Sequence, residues 1–306
     1  MATISGEIRD ENNDLLADCV VRAYRRDTGA FLVAGLSGDG SPETVGDEHY
    51  DSVVLSLHMD GTDGSTTFTD SSATPKTVTA YGNARIESDQ SKFGGTSGYF
   101  YAYDDYLTIP YDASLSFGTG DFTVEMWLRM GIATRQNSII SSTATGGFGL
   151  VLNNASNTIG LIKVGSGYLV QFAGHNIQNN TWTHVEVTRS GSNNYCFING
   201  TQIDTTKTNS ESWVCGATGF KIHVPSGLYD VNTIYIDDLR ITKGVARHTA
   251  NFTPPTATFA DSLGIPARPL GEYTLTTSYT NEVNVIALDP DGGDTFNDLI
   301  LRTTPV

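Results

Sequence analysis

Residues 195–203 read YCFINGTQI, two short runs of alternating apolar and polar residues that meet at Asn199-Gly200. An Asn-Gly pair suits the two-residue type I′ turn of a β-hairpin, because both central residues of that turn need a positive φ. The preceding run at 181–189, TWTHVEVTR, alternates in the same way. This stretch therefore predicts antiparallel strands joined by tight turns.

Similar runs recur on both sides of this hairpin. They include FTVEMWLRM at 122–130, TIGLIKV at 158–164 and TIYIDDLRI at 233–241, with turn signals between them. No ten-residue stretch has a convincing helical period. Many short strands in one region indicate a two-sheet sandwich or jelly roll, so we predict an all-β chain.

The two chain ends alternate like strands as well, for example in CVVRAYR at 19–25 and GEYTLTT at 271–277. Neither end alone has enough strands for a stable sandwich, because two or three strands bury too little apolar surface. We therefore predict a small split β-sandwich made of residues 1–40 plus 265–306. A larger domain at residues 48–258 is expected to be inserted into one of its loops.

Charge and cysteine content narrow the function classes. The 306 residues include 34 Asp and Glu against 18 Lys and Arg, a formal net charge of −16. This charge argues against nucleic-acid binding through a basic face. Cys19, Cys196 and Cys215 form no CxxC pair, so we expect free thiols packed as small apolar residues, with a Cys196–Cys215 bridge left open.

The N-terminal sequence MATISGEIRDENN lacks the charged start and apolar run of a secretory signal. No stretch approaches the ~18 apolar residues of a membrane span. We expect a protein that is made without a signal peptide and is not inserted into membranes.

Several stretches together resemble the laminin-G-like branch of the concanavalin-A-like jelly rolls. They lie within residues 50–256 and include LSLHMDGTDGSTTFTDSS, FGTGDFTVEMWLR and YIDDLRITKGVARHTANFTPP. The last of them resembles copies of this domain in structural proteins of tailed bacteriophages. The chain ends, ISGEIRDENNDLLADCVVRAYRRDTGAFL and GEYTLTTSYTNEVNVIALD, resemble a carboxypeptidase-regulatory-like, transthyretin-type sandwich that also occurs in phage tail proteins.

These resemblances imply a structural component of a bacteriophage tail, at its tip or side, that presents a lectin-like domain for attachment to host-surface glycans. The expected location is the virion tail, after synthesis in the host cytoplasm. Expected partners are other tail proteins and a host glycan, and homo-oligomer formation stays open. Two alternatives remain, a purely architectural decoration protein of the virion and a polysaccharide depolymerase.

A glycanase of this fold would need two carboxylates with opposed roles across a sugar cleft. Glu125 and Glu186 are the acids in the corresponding strands, and neither has a neighbouring acid at alternate spacing. His175, His184 and His223 are scattered, and no HExxH or GxSxG element is present. We therefore predict that the protein is not an enzyme.

Acidic clusters favour a cation site. By strand parity Asp237 points to the packed side of its strand, where an unpaired carboxylate is costly. Members of the resembled family often hold a structural Ca²⁺ near the join of their first and last strands, which implies Asp60, Asp70 and Asp237 as ligands, with Asp238 as a substitute. The alternative is a capped turn and a salt bridge to Arg240.

Lectin-like sites combine an aromatic ring for stacking with polar groups for the sugar hydroxyls. The expected ligand-binding residues are Tyr103, Tyr106, Tyr168 and Trp213, all in stretches that read as loops or loop edges. Packing with the hydroxyl at the rim is the ordinary alternative for each tyrosine.

Overall fold

The computed structural model describes residues 46–131, 136–142, 144–225 and 233–262, together with the strands of the two chain ends. In this part of the chain every regular element is a strand, apart from two short 3₁₀ turns at Tyr50–Ser52 and Ala113–Leu115. The all-β prediction is confirmed. Neither of the two described helical turns has the length or apolarity to cross a membrane.

The described strands are numbered in chain order. They are β1 (Ala2–Glu7), β2 (Val20–Arg25), β3 (Phe31–Leu36), β4 (Val53–Leu57), β5 (Thr79–Tyr81), β6 (Arg85–Glu87), β7 (Ser97–Phe100), β8 (Tyr106–Ile109), β9 (Phe122–Met130), β10 (Gln136–Ser142), β11 (Phe148–Asn153), β12 (Thr158–Lys163), β13 (Gly167–Ala173), β14 (Thr183–Ser190), β15 (Asn193–Ile198), β16 (Thr201–Gln202), β17 (Lys207–Thr208), β18 (Phe220–Pro225), β19 (Ile234–Lys243), β20 (Glu272–Thr277), β21 (Val283–Leu288), β22 (Thr295–Leu301) and β23 (Thr304–Pro305).

The chain divides into two compact units. The smaller unit is Met1–Glu48 with Ser262–Val306, and the larger unit is His49–Asp261. In the smaller unit β1 pairs with β20 and β23, and β2 pairs with β3 and β21, all antiparallel, so strands of the two chain ends share both of its sheets. Its assignment to a regulatory-like, transthyretin-type sandwich stays a prediction.

Two antiparallel sheets form the larger unit. One has seven strands in the order β13-β12-β11-β10-β18-β8-β5. The other has nine, in the order β16-β15-β14-β9-β19-β7-β6, with β17 beside β15 and β4 beside β19. Alternation along β9 shows how the sequence positions them: Phe122, Val124 and Met126 are buried in the core, and the residues between them face the other way. Each sheet thus has an inner face on the core and an outer face.

A closing segment, residues 244–261, covers the outer face of the nine-stranded sheet. The ring of Phe252 contacts His184 and Phe197, and Phe259 lies under the Arg240 guanidinium at 3.7 Å. Asn199 and Gly200 have φ values of 48° and 73°, as the type I′ turn requires. Gly200 is also needed for the closing segment, because a Cβ there would lie 2.0 Å from the Phe252 carbonyl oxygen.

Candidate functional site

Aromatic side chains gather where β5 and β8 form one edge of the seven-stranded sheet. Among the described side chains, the large hydrophobic residues that are exposed are four tyrosines and Val214. The tyrosines are Tyr81 at 46%, Tyr101 at 45%, Tyr103 at 48% and Tyr111 at 55% exposure. All four lie on β5 or beside β8. Together with Tyr106 they are called the tyrosine patch below.

Register explains how the patch is built. Leu107 and Ile109 of β8 enter the core, so Tyr106 lies on the outer face, directly opposite Tyr81 of β5. The two rings stack with centroids 4.9 Å apart and an interplanar angle of 16°. From the other neighbouring strand, β18, the Lys221 ammonium lies 3.6 Å from the centre of the Tyr106 ring. Tyr106 is thus held between a second ring and a cation.

A buried carboxylate fixes the loop that carries Tyr101 and Tyr103. Asp105 is fully buried, and its two oxygens accept hydrogen bonds from the backbone N–H groups of Tyr101, Ala102 and Asn83 at 2.6–3.0 Å. The loop is therefore anchored from beneath while Tyr103 remains exposed. Tyr103 and Tyr106, both expected from the sequence, lie at the same sheet edge as Tyr81 and Tyr111, which were not expected, and the rings of Tyr81 and Tyr106 are in direct contact.

The other two expected ligand-binding residues have different outcomes. Tyr168 lies on β13, at the opposite edge of the same outer face, where it is partly exposed. Trp213 was a wrong prediction as a ligand-binding residue. It is fully buried and packs edge-on against Phe148 in the core at 5.7 Å, so no ligand can reach its ring.

The Asp70 carboxylate accepts its hydrogen bonds from nearby backbone and side-chain groups. It is buried and accepts hydrogen bonds from the backbone N–H groups of Ser56, Ser72 and Lys76 and from the Ser72 hydroxyl, at 2.7–3.0 Å. Four donors on two oxygens leave little capacity for a cation. This is the capped-turn alternative, and it corrects the expectation that Asp70 binds Ca²⁺.

Asp238 is likewise committed to protein partners. It lies at a β-bulge in β19, with φ 45°, and is fully buried. His58 Nδ1 lies 2.6 Å from its Oδ1, Thr258 donates to the same oxygen at 2.8 Å, and the Phe259 N–H donates to Oδ2 at 3.0 Å. His58 Nε2 lies 2.7 Å from Asp261, so the imidazole joins the carboxylates of two separate segments.

Asp237 is the exception in this group. It is buried, and Oδ2 accepts from the backbone N–H groups of Lys92 and Phe93 at 2.7 and 3.1 Å. Oδ1 has no hydrogen-bond partner among the described residues. Burial raises the pKa of Asp237 to about 7, against the two backbone donors, which lower it. The parity expectation was wrong, because the bulge after Asp237 reverses the alternation of β19: Asp237 is the register partner of Trp127 on the outer face and does not share the core side with Leu239 and Ile241.

The four carboxylates do not come together as a ligand set. Within the described ranges between residues 46 and 262, no group of three or more His, Cys, Asp or Glu side chains is arranged to hold a metal ion. Asp237 keeps acceptor capacity at Oδ1, whereas each oxygen of Asp70 already accepts two hydrogen bonds. The described residues therefore do not fit the expected site of Asp60, Asp70 and Asp237 with Asp238 as a substitute, and bound Ca²⁺ stays a prediction.

Glu125 and Glu186 are closer to each other than the sequence suggested. They are register partners on β9 and β14, both buried on the outer face of the nine-stranded sheet. Glu125 accepts from Arg240 at 2.8 and 3.0 Å, and Glu186 lies 2.8 Å from His248 Nδ1. His184 Nε2 is 3.5 Å from Glu125.

The environments of Glu125 and Glu186 shift their pKa values in opposite directions. Burial raises the pKa of Glu186. Burial is the largest single effect on Glu125 and would raise its pKa, but Arg240, His184 and Arg247 together outweigh burial and lower the pKa. The closing segment covers both carboxylates, since His248 contacts Glu186 and stacks on Phe252 at 3.5 Å. They form a sealed ion-pair network and not an open cleft.

The remaining candidate residues are dispersed. His175 accepts from the Ile177 N–H, and His223 bonds the Asp105 carbonyl at 2.6 Å. Cys196 and Cys215 are both buried and free, and Cys19 lies outside the described residues.

Comparisons with known proteins agree with this fold. A laminin G family model, described as the Concanavalin A-like lectin/glucanases superfamily, matches residues 101–248. No curated protein matches the chain in sequence.

Solved structures with a similar fold include two clostridial binding domains. The receptor binding domain of botulinum neurotoxin C/D mosaic serotype is 17% identical, with a TM-score of 0.50 over 64% of this chain and 49% of that chain. The binding domain of Paraclostridial Mosquitocidal Protein 1 is 16% identical, with a TM-score of 0.53 over 65% and 50%. The chain spans about half the length of the solved chains that it matches, and at this identity the likeness concerns the fold. The larger unit therefore has the concanavalin-A-like jelly-roll fold, and residues 101–248 within it are similar to the laminin G family model.

Proposed function

We propose that the larger unit is a non-catalytic glycan-binding module through which a bacteriophage tail attaches to its host. The observation that carries the proposal is the tyrosine patch. Four tyrosines at one sheet edge are each 45–55% exposed, and a cluster of exposed aromatic side chains is a feature of binding surfaces. Tyrosine rings suit sugars because their faces stack on the apolar face of a pyranose while their hydroxyls reach its polar groups.

The patch is also preorganised. Tyr106 is fixed between Tyr81 and Lys221, and the buried Asp105 anchors the loop of Tyr101 and Tyr103. A ligand would therefore meet rings that are already placed, which reduces the entropy lost on binding. Weak binding at one site would be sufficient on a particle, since several copies engage together.

Fold and sequence likeness support the biological context. The similar solved structures are named as receptor-binding or binding domains of toxins, that is, as attachment modules. The resemblance of the stretch ending in Pro255 to bacteriophage structural proteins supports a tail, with the smaller unit as its base. This context is an analogy and depends on the site for its test.

The depolymerase alternative is weakened by the placement of the acids. Glu125 and Glu186 are the register-paired carboxylates that hydrolysis would need, and both lie beneath the closing segment. A substrate sugar cannot reach them while that segment is in place. Incubation of the full chain with host polysaccharide should yield no new reducing ends, and steady turnover would overturn the non-catalytic reading.

Adsorption to host cells tests the binding proposal. The double variant Tyr81→Ala/Tyr103→Ala, as full-length protein, is expected to bind cells at least about tenfold more weakly, because it removes two stacking rings. Val214→Ser is the matched control, since Val214 is 37% exposed but lies outside the patch. Equal adsorption of the double variant and the wild type would refute the assignment of the patch. In a phage that encodes the chain, deletion of residues 48–258 should abolish attachment to the susceptible strain.

A further inference from the structure

We propose that Tyr168 forms a second sugar-stacking subsite, which binds an uncharged pyranose ring of an extended glycan. The proposal rests on the proposed glycan-binding function. It concerns the opposite edge of the seven-stranded sheet from the tyrosine patch.

A glycine on the neighbouring strand makes room for the Tyr168 ring. A Cβ at Gly160 of β12 would lie 2.5 and 2.7 Å from Cδ1 and Cε1 of Tyr168, and 2.8 Å from the Val170 carbonyl oxygen. The ring therefore occupies the space that a side chain at position 160 would take, and it lies close to the backbone of β12.

The Tyr168 side chain exposes ring carbons to solvent, whereas its hydroxyl is buried. Tyr168 as a whole is partly exposed, yet its hydroxyl oxygen is buried, near the Asn153 side chain but without a well-formed hydrogen bond. Burial accordingly raises the pKa of Tyr168. Surface tyrosines usually have the reverse arrangement, with the hydroxyl in water. The exposed part of this side chain is thus an apolar plane, which suits stacking.

Uncharged polar groups border the plane. A β-bulge between Leu161 and Ile162 shifts the register so that Gln171, like Tyr168, lies on the outer face, where it is the register partner of Gly160. Gln171 donates to Thr158 through Nε2 and Asn153 accepts through Oδ1 from the Ser156 N–H. Within the described part of the chain, the Gln171 carbonyl oxygen keeps its bonding capacity for a sugar hydroxyl.

The bordering groups indicate a neutral ligand. Amides donate to and accept from hydroxyls equally, whereas an anionic sugar would need a cation. The lysines nearest to the two aromatic sites have partners already, because Lys163 is paired with Glu211 and the Lys221 ammonium lies on the Tyr106 ring. The net charge of −16 further disfavours a polyanionic glycan.

The distance to the tyrosine patch sets the ligand length. β13 and β8 are separated by five strand-to-strand steps in the same sheet, or about 24 Å at ~4.8 Å per step. Gly149 and Ser141 lie on the outer face between the two edges, as successive register partners from Ile162 to Lys221, and both are buried beneath their neighbours. A single sugar cannot touch both aromatic sites, and an oligosaccharide of several residues can.

Titration calorimetry with the full-length protein tests this proposal. The probes are three neutral linear hexasaccharides, maltohexaose, cellohexaose and chitohexaose, with their disaccharides as short controls. Tyr168→Ala should weaken binding of the hexasaccharide that the wild type binds by about tenfold. Tyr168→Phe should bind like the wild type, because the hydroxyl is buried. Gly160→Ala should bind like Tyr168→Ala although the tyrosine is retained, because the new Cβ displaces the ring.

Each result has a defined meaning. Melting curves identify any variant that fails to fold. If Tyr168→Ala or Gly160→Ala fails to fold, Gln171→Ala decides, because it is expected to weaken binding of the hexasaccharide, and unchanged binding by Gln171→Ala would refute the subsite. If Tyr81→Ala weakens binding while Tyr168→Ala and Gly160→Ala leave it unchanged, the subsite is refuted and the proposed function stands. Disaccharides that bind as tightly as the hexasaccharide refute the extended ligand. If the wild type binds none of the three hexasaccharides, the neutral-glycan subsite is overturned. If the protein does not adsorb to host cells, the proposed function itself is overturned.

Discussion

Replacement of His58 by glutamine tests the bond that holds the closing segment to the sheet. The imidazole lies between Asp238 Oδ1 at 2.6 Å and Asp261 Oδ1 at 2.7 Å, residues that are 180 and 203 positions away in sequence. Burial lowers the pKa of His58, but the hydrogen bonds and charges of the two carboxylates outweigh burial and raise the pKa to about 9. The folded state thus holds a charged imidazolium at neutral pH.

The pKa shift of His58 gives the size of its contribution to stability and the pH range in which that contribution is lost. A rise from 6.5 to about 9 corresponds to roughly 3 kcal/mol at ~1.36 kcal/mol per pKa unit. Asp261 is 50% exposed, so solvent screening reduces the contribution to about 2 kcal/mol. Because the folded pKa is above the unfolded value, this stability is complete below pH 6.5 and is lost as the pH rises through about 9.

Urea denaturation at pH 6 and pH 10 measures the effect. All three tryptophans, Trp127, Trp182 and Trp213, lie in the larger unit, so their fluorescence follows the unfolding of that unit. His58→Gln should be about 2 kcal/mol less stable than the wild type at pH 6 and nearly equal to it at pH 10. Titration of Asp237, whose pKa is about 7, affects both proteins and cancels in the difference. A stability difference that does not change with pH would refute the imidazolium bridge.

Three further substitutions separate structural from binding roles. Asp70→Ala should lower the free energy of unfolding by about 3 kcal/mol, because three backbone N–H groups lose their acceptor. The decrease should be the same in buffer with EDTA as in buffer with Ca²⁺. A decrease seen only with Ca²⁺ would show that Asp70 binds the metal ion. Trp213→Ala should cost about 3–5 kcal/mol in thermal or urea melts while the folded protein keeps its glycan affinity; weaker binding by fully folded protein would contradict its burial. Glu125→Gln should cost about 3 kcal/mol by weakening the buried pair with Arg240, and a melting temperature equal to that of the wild type would show that the network is not a stabilising one.

The fold could be predicted because its signals are local. Alternation along β9 identifies its buried face, and Asn199-Gly200 specifies a hairpin turn without knowledge of the rest of the chain. The burial of Trp213 could not be predicted in this way. Trp213 lies in an irregular stretch, SESWVCG, in which no period distinguishes a buried from an exposed side chain, and only the packing of Phe148 decides its position.

The site depends on strand register and on contacts over long sequence distances, which a single sequence does not reveal. Glu125 and Glu186 looked isolated along the chain, yet the pairing of β9 with β14 makes them neighbours. The bulge at Asp238 and its contact with His58 could likewise not be predicted from the segment YIDDLRI. Tyr106 was predicted because it ends a tyrosine-rich stretch of the sequence. Tyr81 could be recognised as its neighbour only from the pairing of β5 with β8.

A crystal structure of the full-length protein soaked with the hexasaccharide that it binds most tightly is the most direct test of glycan recognition by this face. We expect sugar rings stacked on the outer face of the seven-stranded sheet, at Tyr81 of the tyrosine patch and at Tyr168. A sugar bound on the nine-stranded sheet, or in loops away from both aromatic sites, would contradict this expectation.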